Sequence, residues 1–131
     1  MQGQALQFLG SLAAILVLAA LAWRMGLGPA PHLASEEEAR SAAAEAIDGF
    51  DPSEIALDRE GRAALLCDAA GRVLLLRGHG SHFAGRLLTP AASAHLEGDS
   101  LLVDTAERRF GTARLAIAQP HAWVRRIEAI V

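Results

Sequence analysis

The strongest constraint on this chain is the stretch LQFLGSLAAILVLAALAW, Leu6 to Trp23, 18 residues without a single charge. A run of that length is a helix, and it lies near the lower limit for spanning hydrocarbon, roughly 20 residues. Met25 and Leu27 extend it, so a transmembrane helix is predicted over residues 5–27. The rival is a cleaved signal peptide, which needs a basic front, a shorter apolar run and small residues at the cut. MQGQALQ has neither Lys nor Arg, so a retained single-pass anchor is expected, with Trp23 at the membrane interface.

Charge then suggests an orientation. Arg24 and Arg40 follow the helix and no basic residue precedes it, and basic flanks tend to stay in the cytoplasm. The C-terminal part is therefore expected to be cytoplasmic. All 12 basic residues are Arg and Ala and Gly abound, the signature of a GC-rich bacterial genome, so the bacterial inner membrane is the expected location. The single cysteine, Cys67, cannot form an internal disulfide, which suits a reducing compartment.

Residues 28–52 read as a linker and a short acidic helix. Gly26, Gly28, Pro29 and Pro31 punctuate the chain, and Ser35-Glu-Glu-Glu38 then has the form of a capping box. A helix from Glu36 to about Ile47 is predicted, with Ala39, Ala42, Ala43, Ala46 and Ile47 on one face, lying against the domain as an adaptor. Its acids argue against a lipid-seeking helix. Residues 31–60 hold nine acids against Arg40 and Arg59, whereas residues 61–131 hold nine Arg against six acids. The overall charge of −3 conceals this split.

From residue 53 the texture changes to short apolar runs separated by Gly, Asp and Pro every 8 to 12 residues. Residues 53–131 are therefore expected to form a small β-rich domain, a barrel or sandwich. Seven strands are predicted, over 54–58, 62–67, 72–77, 82–88, 93–97, 100–105 and 112–118. Within them the phrase Asp-x-x-Gly-Arg-x-x-Leu-Leu occurs at Asp58 and again at Asp68. Asp bonds nearby backbone and Gly accepts positive φ, so the echo reads as two successive hairpin corners. At the end of the chain Trp123, Ile127 and Ile130 recur at helical spacing after Pro120, which predicts an amphipathic helix plugging the sheet, with Arg125, Arg126 and Glu128 facing away.

Three groups of side chains carry candidate chemistry. His79 and His82 could hold a metal if Cys67 or His95 completed the set, since zinc favours about four ligands; no second ligand pair is spaced for it, so no cofactor is expected. Ser81 beside His82 lacks the distant oriented base of a nucleophile, so no catalytic residue is assigned. Arg77, Arg86, Arg108 and Arg109 with His79 and His82 form the expected contact surface for a protein or for lipid headgroups. Nucleic acid is not expected as a partner, because no aromatic residues interleave with the basic ones. Arg108-Arg109-Phe110-Gly111 reads as a turn with Phe110 in the core.

Seven short strands followed by a Trp-bearing C-terminal helix resemble the element order of pleckstrin-homology-like domains. The wider arrangement, with DREGRAALL at Asp58–Leu66 and HGSHFAGR at His79–Arg86, also looks like small uncharacterised membrane proteins of GC-rich proteobacteria. The resemblance implies mainly β structure with flanking helices and a scaffold that binds peptides, proteins or headgroups without catalysis. It does not extend to the phosphoinositide loop between the first two strands, because Arg59-Glu-Gly-Arg62 is short and carries an acid. The functional expectation is a membrane-anchored interaction domain, subunit or regulator of a membrane protein assembly. The alternatives are a headgroup-sensing module and a metal-dependent enzyme using His79 and His82.

Overall fold

The computed structural model describes residues 2–24 and 32–131. The predicted apolar helix is α1 (Gln2–Arg24). Apolar residues go round its whole circumference, as suits a helix made for an apolar surround, and Phe8, Leu12, Leu16 and Trp23 are exposed. From Gly3 to Arg24 it is long and apolar enough to cross a membrane, a property that membrane anchors and signal sequences share. The predicted continuation through Met25 and Leu27, and the Gly/Pro linker up to Pro31, lie outside the described residues.

Helix α2 (Glu36–Ala46) starts where the capping signal places it. Ser35 is the N-cap in extended backbone, and its Oγ accepts from the Glu38 amide at 3.2 Å. Glu38 reaches back one residue beyond the usual capping box, its Oε2 accepting from the Ala34 amide at 2.7 Å. The helix buries Ala39 and Ala43, with Ala42, Ala46 and Ile47 partly covered, the face that the sequence predicts.

Strands β1 (Pro52–Leu57), β2 (Ala63–Asp68), β3 (Val73–His79) and β4 (His82–Leu87) make one antiparallel meander, in the order β1-β2-β3-β4. Strands β5 (Ser93–Glu97), β6 (Ser100–Asp104) and β7 (Thr112–Leu115) make a second. All seven predicted strands are present, but they do not form one seven-stranded sheet: the set divides into four and three. The division falls at Leu88-Thr-Pro-Ala-Ala92, where Pro90 offers no amide to a ladder and a turn closes between the Ala92 amide and the Thr89 carbonyl.

Side-chain pattern explains how the two sheets are used. In β2 and β3 every residue of the runs Ala63–Asp68 and Val73–Leu76 is buried, the continuous apolar texture of strands covered on both faces. Ala64, Leu66, Leu74 and Leu76 face α2 and Phe50. Ala63, Leu65, Val73 and Leu75 face the other way, into a core shared with Leu101, Val103 and Leu115 of the second sheet. That second sheet alternates instead: Ala113 and Leu115 are buried while Thr112 and Arg114 are exposed, so its outer face meets solvent.

The last helix, α3 (Pro120–Glu128), adds Trp123 and Ile127 to the shared core, as expected from their spacing. Ile130 packs against that core from beyond the helix end. One detail differs from the sequence reading. Arg126 does not simply face away: its guanidinium lies 4.6 Å from the Trp123 ring centre and pairs with Glu54 of β1. The long Arg stem can lie along the apolar surface while its head reaches the opposite sheet.

Both halves of the echo are hairpin corners. Gly61 and Gly71 adopt φ of 70° and 87°, a region that side chains with a Cβ resist. Asp68 accepts from the amides of Ala70 and Arg72 at 3.1 and 2.8 Å and from Arg72 Nε at 2.6 Å. Asp58 has a longer reach, its Oδ1 accepting from the Ala116 amide at 2.9 Å and so tying this corner to the segment that leaves the second sheet.

Candidate functional site

The hairpin of β3 and β4 decides where the predicted contact residues go. Its register pairs His79 with His82, Arg77 with Ala84 and Leu75 with Arg86, with only Gly80 and Ser81 between the strands at the tip. Gly80 takes a φ of 62°, as a two-residue turn requires. Side chains directly across a hairpin share a face, so Arg77, His79, His82 and Arg86 all lie on one side. Residues three apart on one strand would point to opposite faces, but the tight turn at Gly80-Ser81 puts His79 and His82 on separate strands and on the same face.

The face they share is the inner face of the first sheet, continued beyond the shared core. The loop from β6 to β7 covers its beginning. Phe110, 8% exposed, packs in that core, and two guanidinium groups sit near its ring, Arg86 at 5.2 Å and Arg77 at 5.9 Å from the centre. Such contacts are worth about 0.5–1 kcal/mol each when exposed. Arg77 Nη1 also donates to the Phe110 carbonyl and, at 3.4 Å, to that of Thr112. Arg86 Nε pairs with Glu107 at 2.9 Å. These two arginines thus clamp the loop onto the first sheet.

The other four predicted residues are left to solvent. His79 and His82 at the tip and Arg108 and Arg109 in the loop are exposed. Among the described residues six of the 12 arginines form ion pairs, with Asp51, Glu60, Asp68, Glu107, Glu97 and Glu54. Arg24, Arg59, Arg77, Arg108, Arg109 and Arg125 have no carboxylate partner among the described residues, and Arg77, Arg108 and Arg109 of these bring unbalanced positive charge to this corner. A recess of about 80 Å³ opens there, lined by Arg77, Gly78, His79, Ala84, Arg109 and Phe110.

Neither residue expected to complete a metal site joins the histidines. Cys67 pairs in register with Val73, at the opposite end of β3, and His95 is exposed on β5 of the second sheet. Among the described residues no group of three or more His, Cys, Asp or Glu side chains is placed to hold a metal ion. Burial raises the Cys67 thiol above its ordinary pKa, and the Asp68 and Glu54 charges add to this against the opposing pull of Arg126. A larger groove of about 500 Å³ lies beside it, lined among others by Arg72, Leu87, Arg126 and Ile130.

Sequence reasoning missed where His32 and Leu33 join the body. Leu33 is 4% exposed and its amide donates to the Gly61 carbonyl at 2.8 Å. His32 covers the same corner so closely that a Cβ on Gly61 would come within 2.4 Å of its Nε2. The neighbouring Arg62 carbonyl accepts from the Gly78 amide at 3.1 Å, so this junction lies at the same end of the body as the basic hairpin. No spacing rule flags a histidine after a Pro-rich linker as part of a corner. Comparison with family models, with curated proteins and with solved structures returned no match for this chain.

Proposed function

We propose that this chain is a membrane-anchored, non-catalytic interaction module of the bacterial inner membrane. Its body works on the cytoplasmic side and holds a partner protein of a membrane assembly against the β3–β4 tip and the Arg108–Arg109 loop. The observation that carries the reading is that the stem at His32–Leu33 and three unpaired arginines, Arg77, Arg108 and Arg109, share one end of the body. Residues 25–31 can bridge no more than about 30 Å even when fully extended. The basic tip is thereby kept near the bilayer, where a high effective concentration lets modest contacts suffice. Pleckstrin-homology-like kinship belongs to the same proposal and rests on element order and Trp123.

The test is photo-crosslinking of the full chain in native membranes, with the reactive side chain placed at position 82, 109 or 95. A discrete protein adduct is expected from the first two positions and none from position 95, on the outer face of the second sheet. The same yield from all three, or no adduct from 82 and 109, rejects the reading.

A further inference from the structure

We propose that the recess between the β3–β4 tip and the β6–β7 loop is a binding site for a phosphate group. The inference rests on the interaction reading above and names the chemistry of its contact site. Two arginines and a histidine line the recess from two separate stretches of chain: Arg77 and His79 at the end of β3 and Arg109 in the β6–β7 loop. No acidic residue is among its lining residues. The nearest acid of the loop, Glu107, is already held by Arg86.

Size points the same way. A recess of about 80 Å³ has room for a small group such as a phosphate. A phosphate group offers several strong acceptor oxygens, and donors arriving from separate directions suit it better than the two coplanar oxygens of a carboxylate. Arg77 is pre-set for the task. Its Nη1 is fixed on the Phe110 carbonyl, so little side-chain freedom remains to be lost on binding. The cost of gathering unpaired arginines at one corner also falls when an anion is bound there.

Two sources can present this chemistry: a free phosphate, or the uncapped phosphomonoester of a lipid headgroup in the bilayer close to the stem, which phosphatidic acid carries and phosphatidylcholine does not. The experiment uses the full chain in nanodiscs and follows hydrogen exchange of the segments 77–86 and 107–112. In phosphatidylcholine discs, inorganic phosphate should slow exchange in both segments at least several-fold beyond chloride at matched ionic strength. Phosphatidic acid discs without free phosphate should do the same if the headgroup is the source. Slowing in either arm supports the site and identifies its source.

Arg109→Gln should weaken the response at least tenfold while the melting temperature stays that of the wild type. If Arg109→Gln fails to fold, His79→Gln reads the same loss. Equal exchange with phosphate and chloride, together with equal exchange in the two kinds of disc, overturns the proposal. That result would leave protein adducts from positions 82 and 109 standing, so the phosphate site and the interaction module fail separately.

Discussion

Gly85 is where the stem-bearing helix meets the sheet, and replacing it with Ala tests whether α2 is truly part of the body. A Cβ at this position would lie 2.7 Å from the Ala46 Cβ, 3.2 Å from Leu76 Cδ2 and 3.3 Å from Leu74 Cδ1. Carbon atoms in ordinary contact stand about 3.5–4.0 Å apart, so the first separation must open by about 1 Å. The two leucine methyl groups can turn aside. Ala46 has no side-chain torsion to yield, so α2 itself has to move off Leu74 and Leu76. Overpacking of this kind costs about 1–3 kcal/mol. For a body of about 100 residues a loss near 2 kcal/mol lowers the melting temperature by roughly 8–16 °C.

The partner change isolates the cause. Ala46→Gly removes the opposing atom and by itself costs up to about 1 kcal/mol as a helical glycine. The double variant should therefore melt close to Ala46→Gly alone, a coupling of about 1–2 kcal/mol. Thermal and urea unfolding of the full chain in detergent, followed by circular dichroism, measures all four proteins. The reasoning is refuted if Gly85→Ala stays within about 0.5 kcal/mol of the wild type, or if the two changes simply add.

Asp58→Ala leaves the Ala116 amide without its acceptor across the two sheets and is expected to cost roughly 1–3 kcal/mol in urea unfolding; a loss below about 0.5 kcal/mol would show that water replaces the carboxylate. Burial pushes the Asp68 pKa up, but the hydrogen bonds and charge of Arg72 and the Ala70 amide bring it below the ordinary carboxylate value. Its stabilisation is therefore complete above about pH 4 and is lost as the pH falls through the lowered folded-state value. Asp68→Asn should flatten the acid limb of melting temperature against pH, and an unaltered limb counts against the corner. Arg77→Ala, which frees the Phe110 carbonyl, is expected to cost roughly 1.5–3 kcal/mol, whereas Arg86→Ala breaks a half-exposed pair and costs less than about 1 kcal/mol; the reverse order in unfolding experiments would reassign the clamp.

Much of the fold was legible because its signals are local. The uncharged run of α1, the Ser35 cap, the turn glycines and the period of Trp123 and Ile127 each act within a few residues, so spacing alone reports them. The candidate site was legible only as a set of types. Arg77, His79, His82 and Arg86 were singled out from one stretch, but their common face follows from a two-residue turn that pairs residue 79 with 82. The roles of Glu107 and of the Phe110 carbonyl depend on a loop more than 20 residues further along the chain.

The repeated phrase draws the boundary most clearly. By itself the sequence determined that Asp58 and Asp68 each begin a corner closed by a positive-φ glycine, because the Asx side chain and the missing Cβ act on adjacent backbone. Only the tertiary structure decided that Asp58 binds the distant Ala116 amide while Asp68 keeps its own Arg72. It also decided that seven strands divide into four and three, with α2 on one face of the larger sheet. Such choices follow from which apolar faces can cover one another, and that is a property of surfaces formed by residues far apart in the chain.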